Sequence, residues 1–482
     1  MTNAKVSSSR WRRSLKWLAA MFTVLLVMSN THSASAEEQF PEQTFTSSWD
    51  QLPDFKDVVR TSGGDTVMLA TVRTGDSKTG ISTKLILATT DSVGTELDRT
   101  LVVVDNLFEV SQAAIAELKD GRLVVAYSAS RFVRHKKISA IQVVYSNDSG
   151  SSWSAPANAP VAAADTDVLT KNGLRIREES SGAVVIFSFG WTFTISAFWY
   201  STDPSLATWT AGASAGSPDD EYGGESFGQL DGMIWGMPIN TYFVGDSLHV
   251  PQGYGSQIYD QTFSGYGSGT VVEGAELILA VKGSKQGAFA SNQAGDLAAG
   301  VFAITKAKKL TFTYRVLSAA TQKWSVAKTI SIGSSSTFTT RGSNLWLANG
   351  GGIAFTYSKK LSRSKYLLTM RTVGADSVVS SPIDASSVVS PDLSSGLIKS
   401  TYFGGTDFVF LRLVDSEELP TVAVDRGSVG NFTSSSFDYP PSGGRISKGL
   451  TQYFLEKSVG AGINAGTDAP NYIWLRPVSL TQ

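Results

Sequence analysis

Residues 145–153 read YSNDSGSSW and contain the spacing Ser-x-Asp-x-Gly-x-x-Trp, from Ser146 through Asp148 and Gly150 to Trp153. The stretch follows the apolar run AIQVV, so it predicts a tight turn that leads from one β-strand into the next. Asp148 is a short acceptor for the backbone N–H groups of such a turn, and Gly150 readily adopts a positive φ. Trp153 falls where the returning strand buries a large ring. All four residues are therefore predicted to be structural.

The chain after residue 40 is made of short runs rich in Val, Ile, Thr, Phe and Tyr, separated by Gly, Ser, Asp and Asn. This pattern predicts an all-β protein. Residues equivalent to Trp153 recur at Leu97, Trp209 and Trp324, which gives spacings of 56, 56 and 115 residues, the last close to two periods. Degenerate copies lie near Tyr266, Val378 and Phe432.

A period of this length with four strands per unit is typical of a β-propeller, in which each blade buries its faces against its neighbours. The seven turn residues favour seven blades. Six and eight stay open as alternatives, because the two ends leave enough chain for a shared closing blade or part of an eighth. We expect the N-terminal strand near Phe45 to pair with residues around 452–457 or 472–477 in that closure.

The composition of the chain argues against several kinds of partner and site. The 482 residues carry a net charge of −1, so no excess of Lys and Arg favours nucleic acid as a partner. Cysteine is absent and only three His residues occur, at His32, His135 and His249, so a zinc site, a thiol nucleophile and a disulfide scaffold are excluded or nearly so. We expect no cofactor and no metal. The GYGSGT stretch at 265–270 predicts a loop and not a nucleotide cradle, because no strand-to-helix context follows it.

The N-terminus has the pattern of a signal peptide over residues 1–36, which leaves one domain over residues 37–482. Basic residues precede the apolar stretch WLAAMFTVLLVM at 17–28, and Ala34-Ser35-Ala36 offers a cleavage site. The apolar run is short for a membrane span, although an uncleaved anchor stays open as an alternative. We expect a secreted or cell-envelope protein with no membrane span after signal removal.

The stretch SNDSGSSW resembles the Asp-box, or BNR repeat, of the sialidase (neuraminidase) superfamily. Three further segments resemble that family: residues 54–92, which follow its first-blade layout; residues 223–238, GGESFGQLDGMIWGMP; and residues 399–413, KSTYFGGTDFVFLRL. The resemblance implies a glycoside hydrolase in which Tyr402 is the nucleophile, Glu225 its partner and Asp76 the acid/base. It also implies that Lys56 stands in the place of a substrate-binding Arg, and that Arg175 and Arg341 supply cationic groups at the starts of inner strands.

These roles form a coherent chemistry, since a neutral phenol polarised by a carboxylate avoids repulsion from the carboxylate of a sialic acid. The sequence departs from the family where Lys56 replaces an Arg and where no Arg follows the Glu225 segment. Taken as residues alone, Tyr402 also fits a half-buried strand tyrosine, Asp76 a solvated loop residue, and Arg175 and Arg341 surface or ion-paired cations.

Three functions therefore stay open: a sialidase-like hydrolase, a non-catalytic propeller that binds a glycan or a protein at the cell surface, and a propeller glycosidase for a non-sialic sugar. If the protein is one of the two enzymes, the expected ligand is a glycan or glycoconjugate. The sequence does not predict the oligomeric state.

Overall fold

The structure, a computed structural model, describes residues 43–47, 54–74, 82–90, 97–106, 109–133, 136–160, 174–189, 195–212, 242–254, 257–385, 397–414, 421–429, 431–438, 444–448, 451–458 and 471–479. These residues form 34 β-strands and a single turn of 3₁₀ helix at Tyr266–Ser268. The all-β prediction is confirmed. No helix within the described ranges is long and apolar enough to span a membrane.

The strands of the first four sheets follow one another along the chain. Sheet 1 contains β2 (Asp54–Arg60), β3 (Thr66–Thr74), β4 (Ser82–Thr90) and β5 (Leu97–Asn106). Sheet 2 contains β6 (Glu109–Glu117), β7 (Leu123–Val133), β8 (Lys136–Ser146) and β9 (Ala157–Ala159). Sheet 3 contains β10 (Leu174–Glu178), β11 (Val184–Phe189), β12 (Ile195–Ser201) and β13 (Thr210–Ala211). Sheet 4 contains β14 (Tyr242–Val244), β15 (Ser247–Tyr254), β16 (Gln257–Ser264) and β17 (Val272–Ala280).

The next two sheets have a fifth short strand, and the last sheet joins the two ends of the chain. Sheet 5 contains β18 (Ser284–Ser291), β19 (Leu297–Ile304), β20 (Lys309–Ser318), β21 (Lys323–Trp324) and β22 (Lys328–Ser334). Sheet 6 contains β23 (Phe338–Thr339), β24 (Leu345–Leu347), β25 (Ile353–Lys360), β26 (Tyr366–Val373) and β27 (Ile383–Asp384). Sheet 7 contains β28 (Leu397–Gly404), β29 (Asp407–Val414), β30 (Thr421–Ser428) and β31 (Asn431–Asp438). Sheet 8 contains β32 (Gly444–Lys448), β33 (Thr451–Ser458), β34 (Asn471–Ser479) and the N-terminal β1 (Gln43–Ser47).

Every strand pair in these sheets is antiparallel, and successive positions in each sheet form a meander. In sheet 5 the fourth position is shared by β21 and β22, in sheet 6 the first position is shared by β23 and β24, and in sheet 8 the N-terminal β1 takes the fourth position. The connections between first and second strands and between third and fourth strands therefore lie at the same end of a sheet, which we call the turn end. The connections between second and third strands lie at the opposite end, which we call the loop end. First strands also begin at the loop end.

Successive sheets pack face to face through apolar side chains. Leu87 of sheet 1 shares a cluster with Val125 of sheet 2, and Ile186 of sheet 3 shares one with Val124 of sheet 2. The same arrangement joins sheets 3 and 4, 4 and 5, 5 and 6, and 6 and 7. Because both faces of a sheet are covered, central strands such as β19 are buried along almost their whole length and read as continuous apolar runs.

First strands lie beside one another. β2 contacts β6, β6 contacts β10, β18 contacts β24, and β24 contacts β28. The fully buried Asp57 joins two of them, because its Oδ2 accepts the N–H of Ile115 at 3.0 Å while its Oδ1 accepts the N–H of Val58 at 2.9 Å.

The turn end also carries a series of hydrogen bonds between neighbouring sheets. Each bond joins a first-to-second turn to the equivalent region of the next sheet, so the turns fix one another in sequence. The pairs are Ser62 with Glu117, Lys119 with Glu178, Ser180 with Asp246, Asn292 with Ala348, and Ala294 with Asn349.

The count of sheets among the described residues is eight, where the sequence favoured seven. The seven residues equivalent to Trp153 each fall at the third-to-fourth connection of a different sheet, from sheet 1 to sheet 7. Sheet 8 has no equivalent residue because its fourth strand is β1, which pairs with β34 in the register Phe45 to Ile473. That pairing matches the second of the two expected from the sequence. In addition, β2 contacts β32, so sheet 8 lies beside sheet 1.

The turn at 145–153 has the predicted structure. Asp148 accepts the N–H and the hydroxyl of Ser152 at 2.8 and 2.6 Å, and Ser146 accepts the N–H of Gly150 at 2.7 Å. Gly150 has a φ of +87°, and the half-buried Trp153 packs on the cluster between sheets 1 and 2. These hydrogen bonds lower the pKa of Asp148 to about 2, with the Ser152 hydroxyl as the largest cause.

Replacing Gly150 by Ala should destabilise the protein for two separable reasons. A Cβ there would lie 2.7 Å from Cδ2 of Leu87, and the positive φ disfavours any Cβ. Gly121 is a matched control, since its φ is +86° and a Cβ would meet nothing within 4 Å. We expect Gly121→Ala to cost about 1 kcal/mol of unfolding free energy, and Gly150→Ala to cost roughly 1–3 kcal/mol more. Urea unfolding measures both, and equal losses would contradict the steric part of the argument.

Replacing Asp148 by Asn should give a pH-dependent loss of stability. A carboxyl whose pKa is lower in the folded protein than in the unfolded chain stabilises above its unfolded pKa, and this contribution fades as the pH falls through about 2. The stability difference between wild type and Asp148→Asn should therefore shrink below about pH 4. Denaturant titrations at several pH values decide, and a constant difference for Asp148→Asn would refute the assignment.

Candidate functional site

The loop end is where the sequence-predicted binding residues lie, and Lys56 is the first of them. It is half-buried near the start of β2, where the register shifts between Phe55 and Asp57 so that Lys56 forms a bulge. A similar shift occurs near the start of β6, β18 and β28. Bulges of this kind turn a side chain away from the regular alternation and are frequent beside binding sites.

Arg175 lies at the loop end of sheet 3. It is the second residue of β10, is half-buried, and pairs with Phe187 of the second strand. Its Nη1 donates a long hydrogen bond of 3.4 Å to the carbonyl oxygen of Leu174. The side chain therefore starts at the end of the first strand that faces the loops, as predicted.

Arg341 lies at the loop end of sheet 6, between β23 and β24. Its guanidinium lies over the ring of Tyr366, 4.8 Å from the ring centroid, which is a cation–π contact. The Ser358 hydroxyl donates to the carbonyl oxygen of Arg341 at 2.7 Å. The exposed side chain is thus attached to the start of the third strand of its own sheet.

Tyr402 lies at the opposite end of its sheet from these three cationic residues. β28 begins at Leu397 and ends at Gly404, so Tyr402 is near its end, at the turn end of sheet 7. The following Gly404 and Gly405 have positive φ values of 112° and 58° and form the turn to β29. Because these glycines end the strand, the phenol is placed at the end of the sheet opposite to the loops.

The phenol of Tyr402 is also enclosed. The residue is 4% exposed, its ring stacks on Phe408 with 4.7 Å between centroids, and its hydroxyl donates to the carbonyl oxygen of Gly405 at 3.3 Å. Burial, followed by the charge of Asp407, raises the pKa of Tyr402 to about 12. In this position the hydroxyl is neither open to a sugar nor easily ionised. The nucleophile role stays a prediction that this geometry does not favour.

Glu225 and Asp76 lie outside the described residues, and so does the predicted signal peptide. The structure brings Lys56, Arg175 and Arg341 to the loop ends of sheets 1, 3 and 6 and places Tyr402 at the turn end of sheet 7.

The sequence interpretation missed an arginine at the loop end of sheet 7. Arg412 pairs with Leu397, the first residue of β28, and its Nε donates to Oδ2 of Asp425 at 2.6 Å. Asp425 is 6% exposed and Arg412 32% exposed, so a buried carboxylate fixes the plane of a half-exposed guanidinium. A bond through Nε leaves the two Nη groups as further donors. The two residues are 13 apart across a hairpin, and only the strand register brings them together.

A second buried pair joins two neighbouring strands of sheet 4. Nδ1 of His249 lies 2.7 Å from Oδ2 of Asp260, and the two side chains are 7% and 1% exposed. Nε2 of His249 and Oδ1 of Asp260 are buried with no hydrogen-bond partner among the described residues. Within the described ranges no group of three His, Asp or Glu side chains could hold a metal ion.

Comparisons with known proteins give similar structures but no family. No protein-family model matches the chain, and no curated protein matches it. Among solved structures, polysaccharide lyase Uly1 is 11% identical with a TM-score of 0.38, over 76% of this chain and 90% of that one. The Hadza microbial sialidase Hz136 is 12% identical with a TM-score of 0.29, over 80% and 65% of the two chains. The intramolecular trans-sialidase from Ruminococcus gnavus is 13% identical with a TM-score of 0.27, over 69% and 96%. Sialidases are thus among the similar structures, but scores this low carry no argument about activity.

Proposed function

We propose that this protein is a secreted, glycan-active β-propeller whose eight sheets are the blades and whose ligand site is the loop end. Three observations support the closed ring: the first strands lie side by side, sheet 8 lies beside sheet 1, and β1 completes sheet 8 from the other end of the chain. In a propeller whose turn end is occupied by hydrogen-bonded turns, the loops of the opposite end are the place for a ligand.

The observation that carries the proposal is the position of four cationic side chains. Lys56, Arg175, Arg341 and Arg412 start from the loop ends of sheets 1, 3, 6 and 7. The net charge of the chain is only −1, so this placement is a local feature and not the result of a basic composition. Guanidinium groups suit carboxylate and sulfate groups because their planar forks donate two parallel hydrogen bonds. We therefore propose an acidic glycan, such as a sialoside, as the ligand.

The proposed reaction is hydrolysis of a glycosidic bond. Asp76 would protonate the leaving oxygen as the glycosidic bond breaks. On the opposite face of the sugar, Glu225 would either polarise the phenol of Tyr402 for attack, with water later releasing the sugar, or directly take a proton from the water that attacks the anomeric carbon. The enclosed phenol of Tyr402 favours the direct role, since two carboxyl groups are the ordinary requirement for glycoside hydrolysis. We also propose that the turn at 145–153 is an Asp-box, in which Asp148 has a structural role.

A second candidate is a propeller that binds an acidic glycan without cleaving it. The observation that favours it is again the burial of Tyr402 at the turn end, which removes the only nucleophile that the sialidase resemblance supplies. Both candidates use the same loop end and differ in whether the carboxyl groups of Asp76 and Glu225 act on a bond.

A hydrolysis assay separates the two candidates. The purified protein is tested on a fluorogenic sialoside and on a panel of aryl glycosides, with Asp76→Asn, Glu225→Gln and Tyr402→Phe. If the carboxyl groups act directly, the first two variants should lose about 100-fold or more in kcat/KM, while Tyr402→Phe keeps its activity. Loss of activity in Tyr402→Phe with an unchanged melting temperature would restore the phenol as nucleophile. Absence of activity on every glycoside would favour the binding protein.

A binding measurement tests the acidic ligand independently of catalysis. Arg412→Gln should weaken the binding of an acidic oligosaccharide by about tenfold or more, because a hydrogen bond between charged groups is lost. Arg122→Gln is the matched control, since the Nε of Arg122 also bonds an aspartate, Asp120, at 2.7 Å, but at the turn end. Isothermal titration calorimetry at low and high salt gives both affinities. Equal effects of the two substitutions would contradict the loop-end site.

A further inference from the structure

The third-to-fourth turn of sheet 4 differs from those of sheets 2 and 3. In sheets 2 and 3 an aspartate inside the turn, the exposed Asp148 or the half-buried Asp203, accepts hydrogen bonds from the turn itself. The turn of sheet 4 is the GYGSGT stretch at 265–270, which has no acidic residue and folds as a single turn of 3₁₀ helix.

A carboxylate from the neighbouring sheet takes the place of the missing aspartate. Oε1 of Glu179, which follows the first strand of sheet 3, accepts the N–H of Gly267 at 3.1 Å. A Cβ on Gly267 would lie 2.3 Å from Oε2 of Glu179, and a Cβ on Gly269 would lie 2.4 Å from the ring of Tyr200. The glycines thus let the turn approach sheet 3 closely enough for the carboxyl to reach it.

The carboxyl of Glu179 is buried, and the turn that it bonds packs on an aromatic cluster. Glu179 is 7% exposed, and the ring of Tyr266 packs edge-on against Phe187 and Phe198 of sheet 3, with centroids 5.0 and 5.1 Å apart. Asp148 is instead exposed and Asp203 only half-buried, so their ionised forms lose less hydration than that of Glu179. An ionised carboxylate at Glu179 has lost most of its hydration and gains one backbone N–H in exchange.

The charged groups around Glu179 come from three sheets. Asp246 of sheet 4, which accepts the N–H of Ser180, disfavours ionisation of Glu179, whereas Arg177 favours it. Lys119 of sheet 2 donates through Nζ to the carbonyl oxygen of Glu179 at 2.7 Å, and its N–H is bonded to Glu178. The Tyr266 phenol is the remaining titratable group that the turn itself presents. Burial is the largest cause and raises the pKa of Glu179, while the hydrogen bond from Gly267 acts in the opposite direction without cancelling this rise.

We propose that Glu179 and the 265–270 turn form a pH-sensitive contact between sheets 3 and 4, which is closed when the carboxyl is protonated and weakened when it is ionised. A protonated carboxyl still accepts from Gly267 through its carbonyl oxygen, without a buried charge. A group whose pKa is raised by folding contributes stability that is present below its unfolded pKa and is lost as the pH rises through its folded pKa. The contact therefore loosens as the pH rises, in the opposite sense to the turn held by Asp148.

Hydrogen exchange on the full chain tests the proposal, with Glu179→Gln as the variant and Glu178→Gln as the matched control one residue away. Gln keeps the acceptor for Gly267 and carries no charge at any pH. After correction for intrinsic exchange, amides at 265–270 should exchange faster in wild type than in Glu179→Gln, and the ratio should grow as the pH rises above 4.5, the ordinary pKa of a glutamate carboxyl. Each unit by which folding raises the pKa of the Glu179 carboxyl corresponds to about a tenfold ratio of the two exchange rates. Glu178→Gln should follow wild type.

A ratio that stays constant with pH would overturn the proposal, as would a pH dependence that persists in Glu179→Gln. If Glu179→Gln fails to fold, the wild type alone still decides. Its exchange at 265–270 should rise with pH relative to exchange at 148–153, where Asp148 stays ionised throughout this range. Parallel profiles in the two turns would refute the contact.

Discussion

The structure depends on the burial of both faces of every sheet by its neighbours. Strand β19, which is buried along almost its whole length between neighbouring sheets, would expose a largely apolar surface if its sheet stood alone. The fold is therefore a series in which each sheet completes the core of the next, and a sheet that joins both ends of the chain is the natural way to complete it. The hydrogen bonds between successive turns and the bond from Ile115 to Asp57 set the sheets at fixed positions along this series.

This constraint explains which parts of the fold the sequence predicts. A turn that must pack on the preceding sheet needs a large residue at its end, so Trp153, Trp209 and Trp324 repeat with the period of the sheets. Sheet 8 lacks such a residue because its fourth strand, β1, comes from the other end of the chain and no turn leads into it. The seven turn residues are therefore one fewer than the eight sheets among the described residues, and eight units had stayed open as an alternative. The pairing of Phe45 could be foreseen from the strand left over at the N-terminus.

The candidate site was less accessible to sequence reasoning because it depends on register. Tyr402 lies two residues before Gly404 and Gly405, and that pair already indicates a turn that places the tyrosine at the end of its strand. The resemblance of residues 399–413 to the sialidase family outweighed this local signal in the prediction of a nucleophile. Arg412 and Asp425, like His249 and Asp260, are brought together by hairpin pairing across 13 and 11 positions, and no periodicity in the sequence reveals which residues face each other.

The turn end of the sheets carries carboxyl groups under different physical conditions. Asp148 is exposed and Asp203 half-buried, and the hydrogen bonds that they accept from their own turns lower their pKa values to about 2. Glu179 accepts the N–H of Gly267 from a neighbouring sheet and is buried. The hydrogen bond from Gly267 therefore has to offset the hydration that an ionised carboxylate loses there. Glu179 and Asp148 both accept a backbone hydrogen bond from a turn. The pH dependence of the turn's stability has the opposite sign for Glu179 because this carboxyl is buried. A repeated fold can thus acquire one contact that responds to pH by moving a single carboxyl group from a turn to the strand end beside it.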